Sequence, residues 1–106
     1  MKNAARILVE EPIRDIQDLF RIILEPVSSR VDFARDVPEA LECTAENDYD
    51  IVFLDVGVPE LEGIDGAKEL NDRFPEMAVV LTCSIKLSPH LAARFLSHAT
   101  NFLVSK

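Results

Sequence analysis

The sequence predicts a doubly wound α/β fold, a parallel sheet of five strands with helices on both faces, on three observations. Hydrophobic periodicity switches repeatedly between the strand regime and the three-to-four-residue repeat of a helix. Strict alternation with short connections implies right-handed crossovers. Ile51 to Leu54 is an unbroken apolar run, as a central parallel strand buried on both faces requires, and it ends on an acid, Asp55.

The elements follow in order. Ala5 to Val9 is a short apolar strand, and Ile13, Ile16, Leu19, Phe20 and Ile23 then recur at helical spacing after Pro12, a residue suited to a helix start. Pro26 stops that helix. Val31 and Phe33 alternate with polar neighbours in a half-buried strand. Asp36-Val-Pro-Glu39 offers an N-cap with a carboxylate three residues on, opening a helix to about Asn47 with Ala40, Leu41 and Thr44 inward. After the run at Ile51, a helix is expected from Gly63 or Ile64 to Phe74, because Pro75 cannot continue it. Ala78 to Thr82 is the fourth strand. Ser88-Pro89 supplies an N-cap and first-turn proline for a helix carrying Leu91, Ala92, Phe95 and Leu96, and Asn101 to Val104 is the last strand.

At 106 residues the chain makes one domain that buries only about 65% of its unfolded surface, so its stability is modest. Hydrophobic residues at 48% and charged residues at 28% are globular composition, too apolar for a disordered chain. No run approaches the ~18 apolar residues of a membrane span, and the acidic amino terminus is no signal peptide, so a cytoplasmic protein is expected. Nineteen acids against eleven bases give a formal charge of −8, which disfavours nucleic acid and anionic membranes as partners. Cys43 and Cys83 are too few and too distant for a zinc site or disulfide framework and read as buried thiols. His90 and His98 read as surface histidines.

In parallel sheets of this kind, functional groups collect at the carboxyl ends of the strands. Asp55 sits at such an end, as do Glu10 and Glu11 after the first strand and Thr82 after the fourth. If the first and third strands are neighbours, three carboxylates converge. Two unit charges ~5 Å apart repel by roughly 3 kcal/mol at an effective dielectric of 20, so three pairs approach roughly 10 kcal/mol. Either one acid stays protonated or a cation binds, and an oxygen-only site that keeps several waters suits Mg²⁺ better than zinc. A carboxylate beside Mg²⁺ can also attack a phosphoryl group and form an aspartyl phosphate, with a hydroxyl and an ammonium holding the phosphoryl oxygens.

With these residues in place, the chain from Ile7 to Val104 resembles the receiver domain of bacterial two-component response regulators. Asp55, with Pro59 four residues on and Gly63 eight on, has the receiver spacing around the phosphorylated aspartate. Glu10 and Glu11 fall where the family carries its acidic metal-binding pair, and Gly57 where a backbone carbonyl joins the metal shell. Thr82, in VVLTCS, matches the hydroxyl residue of the fourth strand, and Phe102, in HATNFLVS, matches the aromatic that changes rotamer on activation. The resemblance implies a flavodoxin-like sheet with strand order 2-1-3-4-5, Mg²⁺ held by Glu10, Glu11, Asp55 and the Gly57 carbonyl, and Asp55 as phosphoacceptor. It also implies a sensor histidine kinase or phosphotransfer protein as partner, an output domain or partner that reads the change, and dimerisation as an option. The domain is then not an enzyme beyond self-phosphorylation and autodephosphorylation.

Three features depart from the family pattern. Glu11 stands where an aspartate is usual and adds a methylene of reach. The family's lysine falls at Ser105, with Lys106 in the following proline's place, which makes Lys106 the candidate phosphoryl contact. Receivers also continue into a fifth helix, which buries on the order of 6 to 12 kcal/mol of apolar side chain. The natural protein is therefore expected to be longer, with these 106 residues as its amino-terminal receiver, or a neighbouring molecule covers that face of the sheet.

Competing readings follow from the same residues. Asp55 as a strand-end cap, Glu10 and Glu11 as a solvated helix start, and Thr82 and Phe102 as ordinary strand formers are the structural alternatives. A pseudo-receiver that binds partners without phosphotransfer is the functional one. A haloacid dehalogenase-like phosphatase also uses a strand-end aspartate, but its second aspartate two residues on is here Gly57, so the general acid is absent.

Overall fold

The computed structural model describes residues 5–55, 60–83 and 102–105. Five parallel strands form one sheet in the order β2-β1-β3-β4-β5, with β1 at Ala5–Glu10, β2 at Ser28–Ala34, β3 at Ile51–Asp55, β4 at Ala78–Cys83 and β5 at Phe102–Ser105. Among the described residues three helices lie between them: α1 at Arg14–Leu24, α2 at Val37–Glu46 and α3 at Glu60–Arg73. The expected strand order and parallel pairing are both present. The expected helix from Ser88, and with it His90, His98, Gly57, Pro59 and Lys106, lies outside the described residues.

Side-chain alternation assigns the two faces. Leu8, Val52, Leu54, Val79 and Leu81 are buried with Ala40 of α2 and with Ala67 and Leu70 of α3, so both helices pack on one face. Gly66 makes this packing possible, because a Cβ there would stand 2.8 Å from Val37 Cγ1. The opposite face belongs to α1, whose Phe20 meets Phe53 with ring centroids 5.5 Å apart. Ile51 and Phe53 are only half-buried, so β3 is less enclosed than its unbroken apolar run suggests.

The same asymmetry corrects the reading of α1. A stripe of apolar residues at helical spacing implies a buried face, yet α1 has no fully buried residue. Ile13, Leu19 and Ile23 are 53%, 58% and 67% exposed, and Ile22 and Val27 are exposed with them. The apolar arc of α1 is wider than the sheet surface beneath it. Only its Phe20 side reaches β3, and the rest faces outward.

Helix boundaries follow local chemistry. Pro26 falls in a 3₁₀ turn, Glu25–Val27, that ends α1. The Asp36 side chain caps α2 by accepting from the Glu39 N–H at 2.9 Å, while Glu39 reaches back to the Arg35 N–H at 2.7 Å, one residue before the cap itself. Helix α3 starts at Glu60, three residues before the expected Gly63. Acids favour a helix amino terminus, and a glycine inside a helix costs only about 1 kcal/mol, so Gly63 is no barrier.

Beyond the periodic core, one polar contact secures the edge strand. The Tyr49 hydroxyl donates to Asp32 Oδ2 at 2.6 Å, and Arg30 Nε lies 2.9 Å from the same oxygen. Burial, then the hydrogen bond to Asp32 and its charge, push the Tyr49 phenol well above its ordinary range. Burial and nearby carboxylates, Glu39 first, likewise push the half-buried Cys43 thiol up, which suits an inert core-edge cysteine.

Two outcomes test this packing. Leu54→Ala is expected to cost about 2–5 kcal/mol in urea unfolding, whereas Ile22→Ala on the exposed edge of α1 should stay within about 0.5 kcal/mol. Because folded Tyr49 keeps its proton beyond the pH of about 10 at which a free tyrosine ionises, its contribution is intact below that value. It is lost as pH rises through the folded value, since the unfolded chain releases the proton first. Unfolding midpoints from about pH 9 to 11 should therefore fall more steeply in the native chain than in Tyr49→Phe.

Candidate functional site

The site lies at the carboxyl edge of the sheet, where β1 and β3 run side by side. Glu10 is in register with Leu54 of β3 and with Ala34 of β2, so β1 is the strand enclosed between them. That position makes Glu10 and Glu11 buried carboxylates, 5% and 0% exposed. Acidic side chains are almost never buried to this degree unless they are paired.

Main-chain donors supply much of the pairing. The Asp55 N–H donates to Glu10 Oε1 at 2.8 Å, and the Ile13 N–H donates to Glu11 Oε2 at 3.2 Å. Glu11 is fixed twice more through its own backbone: its N–H donates to the Ala34 carbonyl at 2.9 Å, and its carbonyl accepts from Gln17 Nε2 at 2.7 Å. The solvated-helix-start reading of the two glutamates does not fit side chains this deeply enclosed. Gln17 belongs to the site and gave no sequence signal, because an amide on the polar side of an amphipathic helix looks like any surface residue.

On the other side of β3, Asp55 is the register partner of Thr82 on β4, so the two side chains stand next to each other on one face. Asp55 is half-buried and Thr82 is 2% exposed. The Thr82 hydroxyl donates to the Leu54 carbonyl at 3.3 Å, a long bond that leaves it little invested in its present partner. Phe102 opens β5 in register with Val80, and Ser105 closes it opposite Cys83. The structure thus brings Glu10, Glu11, Asp55 and Thr82 to one edge.

Whether this edge fits a metal depends on its donors. Carboxylate oxygens are the hard ligands that Mg²⁺ prefers, and the two buried glutamates need positive charge nearby. Among the described residues, however, no three His, Cys, Asp or Glu side chains stand as a ready-made metal shell. Of the contacts these carboxylates make, Glu10 accepts from the Asp55 N–H and Glu11 from the Ile13 N–H. The donor chemistry fits the ion; the shell is not preassembled.

The sheet order 2-1-3-4-5 defines a protein of the flavodoxin-like class, in which ligands bind at the carboxyl ends of the strands. Comparison with known proteins then narrows the class. The family model for the response regulator receiver domain matches residues 7–106, and the chain belongs to this family of two-component signalling domains. It is similar to the aerobic respiration control sensor protein ArcB of Escherichia coli K12, at 35% identity over 68% of this chain and 9% of ArcB. It is similar also to the response regulator MprA of Mycobacterium sp. strain KMS, at 33% identity over 82% of this chain and 38% of MprA. The chain therefore spans well under half of these relatives. Among solved structures, the response regulator TrrA of Thermotoga maritima, in complex with Mg(2+)-BeF, superposes with a TM-score of 0.79 at 25% identity. That match covers 100% of this chain and 88% of TrrA. As a receiver-family member the chain is a signalling domain rather than an enzyme acting on a separate substrate. No helix among the described residues is long and apolar enough to cross a membrane.

The bond from Asp55 to Glu10 gives a direct test. Glu10→Ala leaves the Asp55 N–H without that acceptor and is expected to cost about 1–3 kcal/mol in denaturant unfolding. Glu10→Gln keeps an acceptor oxygen at the same reach and should cost clearly less.

Proposed function

We propose that Asp55 accepts a phosphoryl group from a partner histidine kinase or phosphotransfer protein, and that the domain relays the change to an output domain or partner. The observation that carries this reading is the register pair Asp55 and Thr82, a half-buried strand-end carboxylate beside a buried hydroxyl. In the transfer, an Asp55 carboxylate oxygen forms a bond to phosphorus while the donor's bond to phosphorus breaks, and the donor leaves with that electron pair. Thr82 exchanges its long bond to Leu54 for a stronger one to a phosphoryl oxygen. Glu10 holds the Asp55 main chain in place throughout.

Glu10, Glu11, Asp55 and the Gly57 carbonyl would hold Mg²⁺, which when bound supplies positive charge against the acids and the donor phosphate. Lys106 is the candidate ammonium for the phosphoryl oxygens, in place of the lysine expected where Ser105 stands. Phe102 is the candidate switch residue, and the surface formed by β4, β5 and the expected helix between them is the one an output partner reads. Relatives that include a sensor protein and a response regulator support a kinase partner and a separate output. The domain is proposed as the amino-terminal receiver of a longer cytoplasmic protein, and the exposed apolar edge of α1 supports a further segment or a second copy that covers it. The formal charge of −8 argues against nucleic acid contact through this domain.

Acetyl phosphate with Mg²⁺, followed by intact mass, tests the reading. A Mg²⁺-dependent gain of one phosphoryl group is expected in the native chain and not in Asp55→Ala, and Thr82→Ala should slow the gain by about tenfold or more. A folded chain that gains nothing would instead be a pseudo-receiver, acting through binding alone.

A further inference from the structure

We propose that the edge strand β2 is a self-complementary interface, on which a second copy of this chain adds its own β2 antiparallel about Val31. Strand β2 ends the sheet on one side and runs for seven residues, SSRVDFA. Ser29 and Arg30 are exposed and Val31, Asp32 and Phe33 half-buried, so this edge is open along its middle.

The direction of the main-chain groups fixes what the edge offers. The Ala34 carbonyl accepts from the Glu11 N–H, so Ala34 turns its peptide groups toward β1, and alternation along the strand turns those of Asp32 and Arg30 the same way. The other side of β1 agrees: the Arg6 N–H and carbonyl both bond to Asp50, just before β3, which leaves Ile7 and Val9 to bond β2. Ser29, Val31 and Phe33 therefore direct their N–H and C=O groups outward, and among the described residues no main-chain bond outside the sheet engages them. A two-fold axis at Val31 pairs Val31 with its own copy and Ser29 with Phe33 of the second copy. In an antiparallel ladder such alternate residues are the ones that exchange both bonds. One register thus satisfies every outward group from Ser29 to Phe33, and the contact is isologous, the kind that closes a dimer.

Side chains select the same register. Arg30 and Asp32 flank Val31, so the axis sets each Arg30 opposite Asp32 of the second copy, at the non-hydrogen-bonded positions where side chains stand closest. Charges guard an edge strand when they repel a copy of themselves, whereas this pair attracts one. Arg30 and Asp32 are the only charged residues of β2, so the edge is locally neutral in a chain of formal charge −8. Both also have capacity left. Asp32 accepts from Arg30 Nε and from the Tyr49 hydroxyl, out of about four acceptor positions on a carboxylate. Arg30 uses Nε for that bond, and its terminal nitrogens make no bond among the described residues. The contact is small beside the about 800 Å² per partner of a standard interface, so the association is weak and concentration-dependent. It does not rest on phosphotransfer at Asp55, and its surface is separate from the apolar edge of α1.

Sedimentation velocity from about 10 μM to about 1 mM tests the proposal, and the native chain is expected to pass from monomer to dimer in that range. Exchange of the Ser29, Val31 and Phe33 amides with deuterated solvent should slow as concentration rises. Val31→Pro removes an outward N–H without touching the ladder to β1, a position where an edge strand tolerates proline. It should weaken the dimer by about tenfold or more while leaving the thermal midpoint of the monomer nearly unchanged. A charge cycle in a Tyr49→Phe background, which removes the hydroxyl that needs Asp32, reads the register. There Arg30→Asp sets like charges opposite each other and should weaken the dimer by about tenfold or more, and adding Asp32→Arg should restore it. A monomer at every concentration, amide exchange that ignores concentration, or a dimer that survives Val31→Pro overturns the interface. A charge reversal that the second substitution does not rescue overturns the register about Val31.

Discussion

The hydrogen bond from the Asp55 N–H to Glu10 Oε1 is the contact on which the rest of the acidic edge depends. It exists only in one register of β1 against β3, with Glu10 opposite Leu54. A slip of one residue would turn Val52 and Leu54 out of the core between the sheet and α2 and α3, and would move Glu10 away from Asp55 in the same step. Core packing therefore sets the geometry of the site. The apolar side chains that hold β1, β3 and β4 in register also place Asp55 beside Thr82.

The electrostatics of the edge are settled at a level that residue types do not reveal. Counting charges leads to a choice between a protonated acid and a bound cation. The structure adds a third contribution, oriented main-chain N–H groups from Asp55 and Ile13 that donate to the buried glutamates. Glu10, on β1, spans the interstrand gap to meet a backbone group on β3, while Glu11, the departure from the family pattern, meets the Ile13 N–H two residues on. Among the described residues the edge holds no preassembled metal shell.

Legibility in the sequence tracked the range of the interaction. The alternation of strands with helices and the inward Ala40 and Thr44 of α2 follow from periodicity, which reports burial directly, whereas the strand order follows from the family resemblance. The start of α3 did not, because Gly63 reads as a breaker locally while the acids at Glu60 and Glu62 favour an earlier first turn. The exposed edge of α1 was illegible for a different reason: an apolar stripe states that a helix can be covered, not how much surface lies behind it. Contacts between distant residues left no trace at all. Nothing in the positions of Tyr49 and Asp32, or of Gln17 and Glu11, marks them as partners before the fold brings them together.

Helix α1 joins these themes, since it touches the site at one end while being weakly held along its length. Its Phe20 packs on β3 and its Gln17 holds the Glu11 carbonyl, yet no residue of the helix is fully buried. An element with so few enclosed apolar contacts opens locally at low cost. Displacement of α1 would release the Gln17 bond and the Ile13 N–H together, and both act on Glu11. Any contact that covers the exposed Leu19, Ile22 and Ile23 therefore stabilises the buried carboxylate as well as the helix, without reaching the acidic edge itself. The apolar surface of α1 and the charge of Glu11 are in this way parts of one mechanical unit, tied by two hydrogen bonds.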